Sequence, residues 1–183
     1  VTSRTQYAGA GLTSGRTTAY TYDNRNRVVL TANPAAPHAL VKYDNLGRVV
    51  ASGHYASTSG LGASSDPTSA ATNRMGLSET FYDERGRAWK TVRHKIDQSD
   101  GSSDDTLVSQ SWFDSEGRVI KSQGEQLTKT VYDRLGRATR RYILATTNDS
   151  GYGDASGVAG DIVMEETVTG YEAATGNALI TAT

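Results

Sequence analysis

The sequence predicts an all-β protein built as an array of stacked antiparallel β-hairpins that form a twisted open sheet. Two observations predict it. An aromatic residue, Asp, two variable residues, Gly or Asn, and Arg recur in this order along the 183-residue chain. The flanks of each copy are strand-forming, as in the runs at 20–22 and 28–30. Self-similarity of this kind is typical of repeat architectures.

Five copies follow the pattern closely. Their defining residues are Tyr22, Asp23, Asn26 and Arg27; Tyr43, Asp44, Gly47 and Arg48; Tyr82, Asp83, Gly86 and Arg87; Phe113, Asp114, Gly117 and Arg118; and Tyr132, Asp133, Gly136 and Arg137. A sixth copy at 171–177 is one residue longer and ends in Asn. Because every copy supplies the same residue types, stacked hairpins would align them in columns of aromatic and Arg side chains. We therefore interpret them as structural motif residues.

The motif predicts a hairpin turn. Its Asp can accept a hydrogen bond from the backbone N–H two residues on, which starts a type I turn. The position four residues after the aromatic then needs a positive φ, which Gly adopts without strain and Asn tolerates. We expect a positive φ at Asn26, Gly47, Gly86, Gly117 and Gly136, since a type I turn followed by a left-handed residue is a common hairpin connection.

The repeated Tyr-Asp-x-x-Gly-Arg motif resembles the YD repeat of the RHS family, which includes bacterial RHS proteins, shell-forming subunits of insecticidal Tc toxins and animal teneurins. The resemblance covers about residues 18–180. Family members build long sheets of stacked hairpins that spiral into a hollow shell. The resemblance therefore implies that this array is part of a β-shell or solenoid.

The hairpins are expected in order along a single array, 1–183. Residues 1–16 are a Gly-containing lead-in with room for one strand, and the hairpins cover about 17–32, 39–55, 77–96, 106–122, 127–146 and 162–183. A Pro-rich connector separates the first two hairpins, because Pro cannot donate to a strand ladder. Ser-, Gly- and Asp-rich segments at 56–74, 97–105 and 148–160 are predicted to be surface loops.

A larger period is also present. The motif aromatics at 43 and 132 are 89 residues apart, and those at 82 and 171 are separated by the same distance. We therefore predict two units of three hairpins, at about 17–96 and 106–183. Each unit carries one long loop, 56–74 or 148–160, and both loops are predicted to project from the same face, which in repeat proteins is often the binding face.

Composition excludes several classes of function. The net charge of -1 gives no basic excess, which argues against a nucleic-acid partner. Cysteine is absent, so the chain has neither a disulfide framework nor a thiolate site. No apolar run approaches the ~20 residues of a membrane span. The mean hydropathy of -0.52 and the many Ser and Thr residues indicate a thin, polar β-wall.

No cofactor is predicted, although two acidic loops are candidates for calcium, which prefers oxygen ligands. One holds Asp97, Asp100, Asp104 and Asp105; the other holds Asn148, Asp149 and Asp154. Neither has the spacing of an EF-hand. We expect solvated loops, and calcium binding is the less favoured alternative.

No catalytic constellation is apparent. His38, His54 and His94 are isolated and have no metal-ligand spacing, and the chain has no Gly-x-Ser-x-Gly elbow and no phosphate loop. We expect a protein that is not an enzyme.

Two functional hypotheses follow. The first is a non-catalytic structural segment of a secreted or cell-surface RHS/YD-repeat protein, forming the wall of a β-shell or a repeating assembly. Its partners would be further YD repeats of the same or a neighbouring chain, including head-to-tail copies of itself. The alternative is an adhesion module that binds carbohydrate or a surface protein through loops 56–74 and 148–160.

Overall fold

The computed structural model describes residues 2–6, 15–172 and 175–182, with side chains for all of these except 152 and 180–182. Within these residues, thirteen strands form one open antiparallel sheet, and strand order in the sheet is strand order in the chain. The strands are β1 (Thr2–Gln6), β2 (Arg16–Tyr22), β3 (Val28–Ala32), β4 (His38–Tyr43), β5 (Val49–Tyr55), β6 (Arg74–Tyr82), β7 (Ala88–Ile96), β8 (Ser103–Phe113), β9 (Val119–Gln123), β10 (Leu127–Tyr132), β11 (Ala138–Thr146), β12 (Ile162–Tyr171) and β13 (Ala178–Ala182). The predicted all-β hairpin array is confirmed.

Helical structure is minor. A 3-10 helix spans Tyr152–Ser156. Among the described residues, no helix has the length and apolar character needed to cross a membrane.

The motif forms the turns of the hairpins. In the first copy, Asn26 N donates to Asp23 O at 3.0 Å and Asp23 N donates to Arg27 O at 2.9 Å, which is a type I turn closed by a left-handed residue. The predicted positive φ is confirmed in all five copies. The angles are 60° at Asn26, 83° at Gly47, 80° at Gly86, 88° at Gly117 and 80° at Gly136.

The chain divides into two compact units, Val1–Phe81 with Thr91–Leu107 and Tyr82–Lys90 with Val108–Thr183. Compactness and sequence repetition are different criteria, so the predicted division into hairpin triplets at 17–96 and 106–183 stays a prediction. The predicted lead-in holds one strand: β1 pairs with β2 from Thr2↔Tyr20 to Gln6↔Arg16. Its residues 7–14 lie outside the described part of the chain.

In the first unit the core lies between the sheet and the 56–74 loop. Leu30, Leu40 and Tyr55 are buried, and Leu61 and Ala70 of the loop pack against them. Leu30 pairs directly with Leu40 across β3 and β4. Because cross-strand partners share a face, these side chains lie together under the loop.

Tyr43, a motif aromatic of the first unit, points away from that core. Lys42 contacts the loop through Asp66, and it shares its face with Leu40, two residues earlier in β4. Tyr43 is the next residue, so its ring lies on the opposite face of the sheet.

In the second unit one row of side chains crosses four strands. Trp112 of β8 pairs with Lys121 of β9, Lys121 pairs with Lys129 of β10, and Lys129 pairs with Tyr142 of β11. The 3-10 helix packs over this row, and its Ala155 is fully buried. Tyr132 lies an odd number of residues from Lys129 and therefore faces the other side.

The predicted loops 56–74 and 148–160 are mostly exposed or half-buried, but each packs one fully buried residue, Pro67 or Ala155, against the sheet of its own unit. That both loops project from the same face stays a prediction. The buried apolar and paired charged groups beneath them explain this packing. The acidic turn predicted at 97–105 is shorter, because β8 begins at Ser103 and takes Asp104 and Asp105 into the strand.

Candidate functional site

The motif Asp binds its own turn. Oδ1 of Asp83 accepts the backbone N–H groups of Arg85 and Arg87, each at 2.9 Å, and Oδ2 accepts Nε of Arg87 at 2.7 Å. The same three bonds recur at Asp23, Asp44 and Asp133. Asp114 accepts the backbone N–H and Nε of Arg118. One carboxylate thus fixes the turn backbone and orients the motif Arg.

These contacts hold the carboxylates in their ionised form. The pKa values of Asp23 and Asp133 are lowered, chiefly because the backbone N–H of the Arg four residues on donates to the carboxylate; its guanidinium adds to the effect. At Asp44, Asp83 and Asp114, partial burial acts to raise the pKa, but the backbone N–H donors and the guanidinium of the motif Arg together outweigh it and the pKa is again lowered.

The oriented Arg side chains reach the aromatic ring of the next motif within the same unit. In the first unit the guanidinium carbon of Arg27 lies 4.6 Å from the centre of the Tyr43 ring. In the second unit, Arg87 lies over Phe113 at 4.3 Å, Arg118 over Tyr132 at 4.7 Å and Arg137 over Tyr171 at 4.3 Å. Cation–π contacts of this kind stabilise by about 0.5–1 kcal/mol each at exposed sites.

Three motif tyrosines donate a hydrogen bond to the backbone of the preceding hairpin. The Tyr43 hydroxyl donates to Val28 O at 3.0 Å, and the hydroxyls of Tyr132 and Tyr171 donate to Val119 O at 2.9 Å and to Ala138 O at 2.8 Å. Each acceptor is the residue directly after a motif Arg. Neighbouring motifs are therefore joined in both directions, by a ring contact and by a hydroxyl bond. We call this arrangement the Arg–aromatic ladder.

In the first unit, Tyr55 and Arg74 fasten the 56–74 loop at its ends. The Tyr55 hydroxyl donates to Ala70 O at 2.9 Å. Arg74 is buried and donates Nη1 to Pro67 O at 2.9 Å, while its Nε and Nη2 donate to Gly101 O at 2.9 and 2.7 Å. A buried guanidinium with its donors bonded to carbonyls ties the loop to the 97–102 turn.

In the second unit, lysines fasten the loop after β11. Nζ of Lys129 donates to Asp149 Oδ1 at 2.6 Å and to Asp161 Oδ2 at 2.7 Å, and it also reaches the carbonyls of Asp154 and Gly157 at 3.1 and 2.5 Å. Lys121 Nζ donates to Asp149 Oδ2 at 2.6 Å. We call these two lysines and two aspartates, 121, 129, 149 and 161, the buried Lys–Asp cluster.

The cluster shifts its own protonation equilibria. Burial acts to raise the pKa of Asp149, but hydrogen bonds from Lys121 and Lys129 outweigh it and the pKa is lowered. Burial acts to lower the pKa of Lys129, but the bonds to Asp149 and Asp161 outweigh it and the pKa is raised. Both shifts favour the ionised forms of Asp149 and Lys129.

In the two loops named as calcium candidates, Asp97, Asp149 and Asp154 accept hydrogen bonds from within the protein. Asp97 accepts the backbone N–H and hydroxyl of Ser99, and Asp154 accepts the backbone N–H and hydroxyl of Ser150. Asp149 receives the two lysines. Within the described residues, no three His, Asp or Glu side chains converge in a metal-binding arrangement.

The structure brings together three residues that the sequence left apart. His94, interpreted as isolated, bonds through Nδ1 to Ser103 Oγ and through Nε2 to Glu79 Oε1, each at 2.8 Å. Glu79, His94 and Ser103 lie on β6, β7 and β8, respectively, in the first unit. Another sequence-isolated residue, His38, has a buried Nδ1 with no hydrogen-bond partner among the described residues. No spacing in the sequence predicted the His94 contacts, because these contacts depend on how the strands pair.

No family model matches the chain, and no curated protein matches it. Two similar solved structures are described as the crystal structures of TcdB2-TccC3-TEV and TcdB2-TccC3-Cdc42. Each superposes with a TM-score of 0.36; the sequence identities are 11% and 13%. The matched regions cover 91% of this chain and 10% of each of the other chains, so this chain spans about a tenth of their length.

Proposed function

We propose that the chain is a non-catalytic structural segment of an RHS/YD-repeat protein, forming the wall of a β-shell or of a repeating assembly outside the cell or on its surface. The Arg–aromatic ladder supports this most directly. The motif Asp side chains bond within their turns, and the motif Arg and Tyr side chains of the ladder contact a neighbouring hairpin. The motif residues thus act in stacking hairpins. The resemblance of the motif to the YD repeat supports the assignment to this family.

Particle size tests the proposal. We expect the purified chain to associate as its concentration rises, because β1 and β13 are the outer strands of the described sheet and unpaired strand edges promote pairing with other chains. Light scattering coupled to size-exclusion chromatography would measure the mass, and electron microscopy would distinguish a hollow particle from a fibre. A strict monomer at every concentration would contradict self-assembly through the sheet edges.

The adhesion module makes a different prediction, saturable binding to a glycan or a surface protein. Deleting the 56–74 loop cannot test it, since the loop supplies Pro67 and Ala70 to the core of its unit. Exposed loop positions are suitable instead. If a glycan array shows binding that Ser59→Glu and Ser64→Glu abolish without lowering the melting temperature, the structural proposal gives way to the adhesion module.

The non-catalytic part of the proposal has its own test at Ser103. A serine hydrogen-bonded to a histidine that is bonded to a carboxylate is the arrangement that activates nucleophiles in hydrolases. We expect a fluorophosphonate probe to leave Ser103 unlabelled. Labelling that disappears in His94→Gln would show an activated serine and overturn this part.

A further inference from the structure

The buried Lys–Asp cluster places an amine against a carboxyl group away from water. The Lys129 side chain is 2% exposed and the Asp161 side chain 0% exposed, and Nζ lies 2.7 Å from Oδ2. Asp149, 9% exposed, lies 2.6 Å from the same Nζ and 2.6 Å from Nζ of Lys121. Two ammonium groups and two carboxylates are thus almost completely desolvated.

Burying ions costs free energy, and this cost can exceed the gain from their mutual attraction. A reaction that converts one ammonium and one carboxylate into a neutral amide removes two of these four buried charges. We propose that Lys129 and Asp161 condense to an intramolecular amide, a covalent cross-link between β10 and the segment that follows the 148–160 loop.

Atoms and charges balance without a co-reactant. Lys129 first transfers one proton from Nζ to Oδ2 of Asp161, 2.7 Å away, which gives a neutral amine and a neutral carboxylic acid. The neutral Nζ then attacks Cγ of this acid and a new N–C bond forms; Asp149 takes a second proton from the nitrogen and delivers it to Oδ2 as the C–Oδ2 bond breaks. One of the three Nζ protons stays in the amide, and the other two leave with Oδ2 as water. Asp149 ends as a carboxylate.

The geometry suits each step. A nitrogen 2.7 Å from a carboxyl oxygen lies within roughly 3.5 Å of the carboxyl carbon, which is a near-attack separation. The backbone N–H of Asn148 donates to Asp161 Oδ1 at 2.9 Å. This N–H stabilises the negative charge that develops on Oδ1 when nitrogen adds to the carbon. Gly157 O, 2.5 Å from Nζ, holds the amine in place.

The residual charges favour Asp161 over Asp149 as the bonded partner. Asp149 is shared by both lysines, whereas Asp161 receives Lys129 but not Lys121. An amide at Asp161 leaves the Lys121–Asp149 ion pair intact and neutral as a pair. An amide at Asp149 would remove the carboxylate that carries the second proton and would separate Lys121 from its ionic partner.

The mass of the full chain tests the proposal. After folding and then denaturation, we expect an intact mass lower than the sequence mass by one water, and a branched peptide on proteolysis that joins Lys129 to Asp161. Asp100-Gly101 is a second place where a chain can lose water, by succinimide formation. Hydroxylamine cleaves a succinimide and leaves an amide between side chains, so the mass defect should survive that treatment.

Variants assign the roles. Lys129→Arg keeps a buried cation and should restore the full sequence mass, whereas the exposed Lys95→Arg should keep the loss of water. Asp149→Asn should slow the loss, because the proton carrier is removed. Natural chain that retains its full mass after prolonged incubation, or a lost water that maps to any other pair, overturns the proposal whether or not the variants fold.

Discussion

The side chain of Tyr132 shows how one residue joins two hairpins. Its ring receives Arg118 at 4.7 Å, and its hydroxyl donates to Val119 O at 2.9 Å. Tyr43 and Tyr171 make the equivalent hydroxyl bonds in their own units. Phe113 receives Arg87 in the same way, but a phenylalanine has no hydroxyl to donate. The chain therefore contains a natural comparison for the hydroxyl contribution.

Exchanging these two residue types should change stability in opposite directions. Tyr132→Phe removes one hydrogen bond and should lower the free energy of unfolding by about 0.5–1.5 kcal/mol. Phe113→Tyr should raise it by a similar amount, because Ala88 O follows Arg87 as Val119 O follows Arg118. Urea denaturation would measure both. A destabilising Phe113→Tyr would show that the ladder positions are not equivalent.

The motif carboxylates predict an acid transition. Asp23, Asp44, Asp83, Asp114 and Asp133 all have a folded-state pKa below the ordinary 3.8. A lowered folded-state pKa contributes stability that is present above the unfolded-state pKa and is lost as the pH falls through the folded-state pKa. The melting temperature should therefore be insensitive to these groups at neutral pH and fall steeply below about pH 4.

A motif variant provides the control for that transition. Asp83→Asn cannot take up the proton, so its melting temperature should depend less on pH in the acid range than that of the natural chain. An unchanged slope would indicate that protons taken up elsewhere dominate acid unfolding.

At the scale of elements, each unit has a loop that is part of its core. Arg74 and Tyr55 tie the 56–74 loop to the first unit, and the buried Lys–Asp cluster ties the loop after β11 to the second. In both cases a polar or charged side chain from a strand bonds carbonyl or carboxylate groups of the loop. Because these groups are buried, loss of one partner leaves the other unsatisfied, which costs more than the net value of the bond.

Gly101 lies against Ala71, where the 97–102 turn meets the 56–74 loop. It has a φ of 77°, and a Cβ there would lie 1.8 Å from Ala71 O. Gly60 has a φ of 78° with nothing within 4 Å of its Cβ position, so Gly60→Ala is a matched control for backbone strain. Gly101→Ala should cost about 1–3 kcal/mol more than Gly60→Ala, because the backbone must move apart. Equal losses in urea denaturation would contradict this contact.

At the scale of the whole molecule, the sheet formed by the described residues has β1 and β13 as its outer strands. The residues of β13 carry no charge, and its Leu179 is exposed. Natural sheets commonly protect their edges with charged residues or covering segments. We expect β13 to pair with a further strand, supplied either by more repeats or by a second copy.

An edge charge should test that expectation. Leu179→Lys should weaken self-association of the purified chain, because a lysine on an edge strand opposes further strand pairing. Leu135→Lys is the control, since Leu135 is equally apolar and 77% exposed but lies in a turn. Sedimentation velocity would compare the two. Equal association of both variants would exclude β13 as the contact.

The sequence by itself determined the hairpins and their turns. A type I turn followed by a left-handed residue depends on a few consecutive residues, so Asp23 and Asn26 or Asp83 and Gly86 identify it locally. The same locality explains why strand order follows chain order: each hairpin packs beside the next. Repetition of the motif also predicted columns of Arg and aromatic residues, and within each unit the structure places a motif Arg over the ring of the next motif.

Only the tertiary structure decided where the loops lie and which charges meet. Lys129 and Asp161 are 32 residues apart, and Arg74 and Gly101 are 27 apart. Their contacts depend on how irregular segments fold back on a sheet face, and no periodic pattern encodes that path. A loop rich in Ser, Gly and Asp has the composition of a solvated segment. Arg74 at the first loop, and Lys121 and Lys129 at the second, provide the partners that allow the polar groups of these loops to leave water.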